Sequence, residues 1–212
     1  MVKIYLIRHA ESIANTQGIY QGQTYDLPLS ELGQQQARAL GAKLARIKLN
    51  AIFTSPLTRT KQTVEAITGY QEKLVITIFE DRLKETNHGA WEGKRKTEIA
   101  ARWPEIFQLW QTLPGKVEFP GGEKFTDTAN RAIEWFNNIF NKTGVFAVVT
   151  HSNIIQAILT HLHGLDLNNI WQFEIAPTGI TVIEFYSPIK IVKINDISHL
   201  KNINSDLSKQ AL

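Results

Sequence analysis

The chemistry of this chain is concentrated where two apolar runs end in histidine. VKIYLI at residues 2–7 stops at Arg8-His9, and VFAVV at 145–149 stops at Thr150-His151. A buried strand ending in a cation and an imidazole carries both to its C-terminal tip, where open α/β sheets place their ligands. Two such tips, with an arginine beside one, describe a pocket for an anion. Phosphoryl transfer asks for charge neutralisation, in-line geometry and a nucleophile. Neutral imidazole is a competent nucleophile near its ordinary pKa of about 6.5, and a covalent intermediate splits one hard displacement into two easier ones. His9 is the candidate nucleophile. Arg8 suits a phosphate because guanidinium binds it through two parallel N–H bonds, which a lysine cannot do.

An Arg-His dipeptide taken alone is more often structural, so the other motifs carry the argument. Ser55-Pro56-Leu57-Thr58-Arg59-Thr60-Lys61-Gln62-Thr63 puts Arg59 in the first turn of a helix that follows a strand. Positive charge is awkward there, because the helix N-terminus already carries partial positive charge, and an anion relieves it. The alternative is a solvated arginine. Leu83-Lys84-Glu85-Thr86-Asn87-His88-Gly89-Ala90-Trp91-Glu92-Gly93 follows the third strand, and its two glycines mark a tight loop. Glu85 could protonate a leaving alkoxide if desolvation or nearby phosphate raises its pKa. Without that setting it reads as a surface residue.

The elements that position these groups alternate along the chain. Strands are expected at 2–7, 51–55, 75–79, 145–149, 179–186 and 190–196, the last two as a hairpin around Ser187-Pro188. Helices are expected after Ser30, from Pro56 to Ala66, over 95–112 with a break at Pro104, over 126–140 and over 153–163. PGKVEFPGGE at 114–123 reads as a loop. This rhythm predicts an α/β fold: a mostly parallel central sheet with helices on both faces, plus a small helical insertion at about 86–125. At 212 residues the chain is expected to form one domain over 1–212, burying about 70% of its unfolded surface.

Composition narrows the classes. A net charge of +3 without a Lys/Arg block disfavours nucleic-acid and membrane-surface partners. The absence of cysteine excludes disulfides, a thiol nucleophile and thiolate metal sites, and fits a reducing compartment. No signal-like segment and no 18-residue apolar run is visible, so a cytoplasmic location is expected. No carboxylate cluster with metal-ligand spacing is apparent, so neither a metal nor another cofactor is expected. His161 and His163 point about 200° apart on one helix and cannot share a metal.

RHAES, SPLTRTKQT, LKETNHGAWEG and THS, in that order, resemble the motifs of the histidine phosphatase superfamily, also called phosphoglycerate mutase-like. The resemblance implies His9 as the phosphorylated nucleophile, Glu85 as proton donor, and Arg8, Arg59 and His151 as the phosphate pocket. It implies Asn15, Gln21 and Gly22 as contacts to phosphate or substrate. Two departures stand out: Ala10 where the family usually has glycine, and Ser152-Asn153 where it often has glycine or alanine. Ser152 is expected to offer its backbone N–H to the phosphate.

Within the superfamily the pattern is most similar to bacterial metal-independent phosphoserine phosphatases, through Asn87-His88-Gly89, KVEFPGGE and the tail KINDISHL at 193–200. That resemblance implies a small amino-acid phosphate as substrate, recognised with the help of His88 and the C-terminal segment, and a homodimer. His199 is open between a surface residue and a pocket lid. Phosphoglycerate mutases are the first alternative, but they resemble this chain less around the acid: they carry Glu-Arg-x-Tyr-Gly, where this chain has Glu85-Thr86-Asn87-His88-Gly89. A broad-specificity sugar or nucleotide phosphatase and a module that binds phosphoesters without turning them over are the remaining alternatives.

Overall fold

β1 (Val2–Arg8) and β4 (Gly144–Thr150) are near-continuous apolar runs because both lie in the middle of a sheet covered on its two faces. The structure is a computed structural model and describes residues 1–186 and 188–211. With β2 (Ala51–Thr54), β3 (Ile76–Phe79), β5 (Ile180–Phe185) and β6 (Ile189–Asp196), they form one sheet in the order β3-β2-β4-β1-β5-β6. β1, β2, β3 and β4 are mutually parallel, β5 runs against β1, and β6 against β5. This is the mostly parallel sheet expected. β5 and β6 pair as the expected hairpin strands; Ser187 of the expected turn lies outside the described residues.

The helices are α1 (Ile13–Gln17), α2 (Glu31–Leu44), α3 (Thr58–Thr68), α4 (Lys96–Arg102), α5 (Pro104–Thr112), α6 (Phe125–Ile139) and α7 (Ser152–Leu162). α2 and α3 cover one face, where Leu40, Leu44, Val64 and Ile67 pack on Ile7, Ile52 and Val149. α6 and α7 cover the other, where Trp135, Phe136, Ile154 and Ile158 pack on Ile4, Leu6, Phe53 and Val148. α1 has no counterpart among the expected elements, since five residues are too short to show a period. Its signal is local: Ser12 and Asn15 cap each other reciprocally.

The stretch expected as an insertion carries α4 and α5, split before Pro104 as expected because proline cannot continue the helix behind it. Trp91, Trp110, Phe119 and Phe125 close a third apolar cluster there, and Tyr20 joins it from the loop after α1. That cluster abuts the C-terminal tips of the parallel strands. Gly89 sits at φ 55, and a Cβ there would collide with the Pro120 carbonyl and the Gly122 nitrogen. A glycine is what lets the loop after Glu85 press against the PGGE turn.

Candidate active site

The register of the central strands assembles the site. Arg8 lies opposite Thr150 in the β1–β4 ladder, so the next residues, His9 and His151, leave the sheet side by side. The His9 N–H donates to the Thr150 carbonyl at 2.9 Å, and the two imidazoles meet edge-on with centroids 5.2 Å apart. β2 ends alongside at Thr54, and the N–H of the next residue, Ser55, donates to the Val149 carbonyl.

His9 Nδ1 lies 2.7 Å from the Ala10 carbonyl. A carbonyl can only accept, so Nδ1 carries the proton and Nε2 keeps its lone pair. Burial, then the Arg59 and Arg8 guanidinia, hold the His9 pKa well below the usual histidine range. His9 is therefore neutral at pH 7 and presents a nucleophilic nitrogen toward a narrow cleft.

Arg8 and Arg59 flank that cleft. Arg8 donates from Nη1 to the Ile175 carbonyl at 2.6 Å and from Nη2 to Gln210 Oε1 at 2.7 Å. Burial lowers its pKa to about 10, with Glu85 opposing, so it stays charged at neutral pH. Arg59 occupies the first turn of α3, and the awkward charge there has a protein partner. Asp26 Oδ1 accepts from Arg59 Nη1 at 2.9 Å, while Oδ2 accepts the Thr58 N–H at 2.6 Å. One carboxylate thus caps the helix and orients the guanidinium. Arg59 Nη2 donates to the Gly22 carbonyl at 3.0 Å. The Nε of each arginine is buried without a partner.

Glu85 faces the two arginines. Its Oε1 accepts the Thr86 N–H at 2.8 Å. Burial raises its pKa, opposed by that hydrogen bond and by Arg59, Arg8 and Arg131. Its backbone is clamped from α6: Arg131 donates to the carbonyls of Arg82, Lys84 and Glu85 at 2.8, 2.6 and 2.9 Å. Arg131 also pairs with Glu123 at 2.8 Å, and Glu123 accepts the Asn87 N–H at 2.7 Å. The PGGE turn and α6 together hold the loop that carries the acid.

A family profile described as the histidine phosphatase superfamily (branch 1) matches residues 4–196. The chain belongs to this superfamily. Phosphoserine phosphatase 1 of Hydrogenobacter thermophilus is 38% identical over 205 residues, covering 94% of this chain and 95% of that protein. The 2,3-bisphosphoglycerate-dependent phosphoglycerate mutase 2 of Gloeobacter violaceus is 33% identical over 182 residues, 82% of each chain. YhfR of Bacillus stearothermophilus shares the fold at a TM-score of 0.88 and 29% identity, over 94% of this chain and 100% of that one.

In this histidine phosphatase chain the structure gathers Arg8, His9, Asn15, Gln21, Arg59 and Glu85 around one cleft, with His88 in the same wall. His151, expected in the phosphate pocket, is fully buried edge-on to His9 and does not itself line the cleft; its Nε2 bonds to Ser55 Oγ at 2.9 Å, and its Nδ1 is buried and unpartnered. Burial holds its pKa well below the usual histidine range. Gly22 serves by its carbonyl and by its smallness, since a Cβ there would strike the Glu92 carboxylate and the Thr86 carbonyl.

Two expected contacts are corrected. Ser152, the first residue of α7, is buried and does not line the cleft; Asn153 does. Successive helical residues point about 100° apart, so only one of the pair can face the site. His199 also lies outside the wall, bonded through Nε2 to Thr178 Oγ1 at 3.0 Å. The tail reaches the cleft eleven residues later, where Gln210 meets Arg8 and Ala211 lines the wall. Gln36 secures that path by donating to the Ile203 carbonyl and Ser205 Oγ, both at 2.9 Å. Asp26, Ser55, Glu123 and Arg131 were not singled out in the sequence, and Asn153 was noted there only as a departure from the family pattern. Ser55 and Glu123 lie within quoted motifs, whereas Asp26 and Arg131 act across the fold and leave no local mark.

Proposed function

We propose that this chain is a metal-independent phosphomonoesterase that works through a phosphohistidine at His9, with phosphoserine as its preferred substrate. The observation that carries the reading is a neutral His9 whose Nε2 is free, set between two buried guanidinia and facing a carboxyl group whose pKa is raised by burial. Arg8 and Arg59 hold the phosphoryl oxygens, Asn15 and Gln21 bind beside them, and His151 supports the phosphoryl group from behind His9. Nε2 attacks phosphorus, the N–P bond forms as the P–O ester bond breaks, and the leaving alkoxide takes the Glu85 proton. Water then gives a proton to the Glu85 carboxylate and attacks phosphorus. The N–P bond breaks, its electron pair returns to Nε2, and inorganic phosphate leaves. The guanidinia supply the positive charge that a metal supplies elsewhere.

The likeness to a phosphoserine phosphatase over 94% of the chain supports the substrate. Serine biosynthesis and a cytoplasmic setting follow from that substrate as part of the proposal. So does a homodimer, for which β3 is an edge strand exposing Ile76 and Phe79.

The test is turnover by the purified protein of phosphoserine, 3-phosphoglycerate and sugar phosphates, with and without EDTA. Phosphoserine is expected to have the highest kcat/KM, unchanged by EDTA. Preference for 3-phosphoglycerate, or mutase turnover of it, would overturn the substrate; loss with EDTA and recovery with magnesium would overturn metal independence.

A further inference from the structure

Arg8 is held by one short turn of chain. Its Nη1 donates to the Ile175 carbonyl at 2.6 Å, its carbonyl accepts the Thr178 N–H at 3.1 Å, and its N–H donates to the Gly179 carbonyl at 3.4 Å. Gln210 Oε1 accepts from Nη2 at 2.7 Å, so the guanidinium plane is fixed at two corners. The Nε–H, buried and unpartnered, is left for an anion.

That turn is braced from the segment KINDISHL at 193–200, none of which lines the cleft among the described residues. Thr178 is fully buried and β-branched, yet sits at φ 57. Such a residue persists in the left-handed region only where its surroundings over-determine it. His199 Nε2 bonds to its Oγ1 at 3.0 Å. Asn195 acts on the other end of the turn. Between the pairs Ile180–Asp196 and Val182–Lys193 one residue of β5 faces two of β6, a bulge that leaves Asn195 at φ 52. Asparagine tolerates that conformation, and a bulge re-aims the side chain it carries. Asn195 Oδ1 accepts the Ala176 N–H at 2.9 Å. This N–H and the Ile175 carbonyl belong to one peptide group. The group is planar, so fixing its N–H fixes the direction of the carbonyl that receives Arg8 Nη1. Gly179 makes room, since a Cβ there would collide with Asn195 Oδ1.

We infer that Asn195 is a positioning residue for phosphate binding: from the β6 bulge it fixes the peptide that aims the Arg8 guanidinium, while His199 braces the same turn through Thr178. This rests on the phosphatase reading of the cleft. The effect is geometric. Without the acceptor the peptide is free to rotate, and Arg8 tilts away from the phosphoryl oxygens.

The experiment measures how tightly the full chain binds orthovanadate, a phosphate-like oxyanion, by calorimetric titration. Asn195→Gly removes the acceptor and suits the backbone, because glycine adopts positive φ freely. It is expected to weaken binding about tenfold or more. Asn195→Asp keeps an acceptor and is expected to recover most of that loss. An Arg8→Lys background separates positioning from general loosening. Lysine has no fork for the Ile175 carbonyl to orient, so Asn195→Gly is expected to change affinity there less than about twofold. Equal losses in the two backgrounds, no loss with Arg8 in place, or an Asn195→Asp protein as weak as Asn195→Gly would each overturn the inference. If Asn195→Gly does not fold, Gly179→Ala displaces the same carboxamide and is read in the same two backgrounds. No binding by the wild-type protein overturns both this inference and the phosphate cleft. If the ratios hold but the wild-type protein hydrolyses no phosphomonoester, the catalytic reading fails and the positioning role stands.

Discussion

Replacing Arg131 with lysine keeps the charge on α6 and removes the fork. Arg131 makes bonds to three carbonyls and to both oxygens of Glu123, the last at 2.8 and 3.2 Å. An ammonium concentrates its donors on one atom and can hold about two of those five partners. Three charge-assisted bonds are lost. The Arg131 side chain is 19% exposed, so water replaces part of each. A net cost of about 2–4 kcal/mol follows. For a domain of this size that lowers Tm by roughly 4–16 °C in a calorimetric scan. The catalytic consequence is more diagnostic. With its carbonyl released, Glu85 loses its fixed distance to the leaving oxygen, and the proton it supplies matters most for a poor leaving group. The kcat for phosphoserine is expected to fall about tenfold or more, part of the 10²–10⁴ that general acid catalysis contributes, and that for nitrophenyl phosphate much less. Equal losses on the two substrates would refute Arg131 as a positioning residue for the acid, and an unchanged Tm would refute the clamp itself.

The other predictions address the same centre. Brief exposure to a labelled phosphomonoester should trap phosphate on His9 as an acid-labile, base-stable adduct; an acid-stable label, or one retained in His9→Ala, contradicts the nucleophile assignment. Glu85→Gln keeps the shape of the acid but has no proton to give, so phosphoserine turnover should drop about 10²–10⁴-fold while nitrophenyl phosphate suffers less. Stability should decline on acidification. His9, His88, His151 and His199 all have folded pKa values below that of the unfolded chain, near 4 for His88 and His199. Below about pH 6.5 the unfolded chain takes up protons that the folded chain refuses. The histidine contribution is therefore intact above pH 6.5 and is lost progressively toward pH 4, and a Tm that stays flat between pH 7 and 5 contradicts it.

The amino-acid sequence by itself determined the alternation of strands and helices, the membership in the superfamily, and the residues that gather at the strand tips. Arg8, His9, Arg59, Glu85 and His151 were legible because each sits in a local pattern: an apolar run that stops, a helix that starts, a loop with two glycines. Tertiary structure decided what holds and completes them. Asp26 reaches Arg59 across 33 positions, Arg131 reaches Glu85 across 46, and Gln210 reaches Arg8 across 202. Periodicity and spacing carry no information at such separations, because side chains distant in sequence meet only after the sheet register and helix packing are set. The exchange of Ser152 for Asn153, and of His199 for the last residues of the tail, has the same origin. A motif says which segment arrives at the site; the angle of a helix turn and the path of a tail decide which of its side chains faces the substrate.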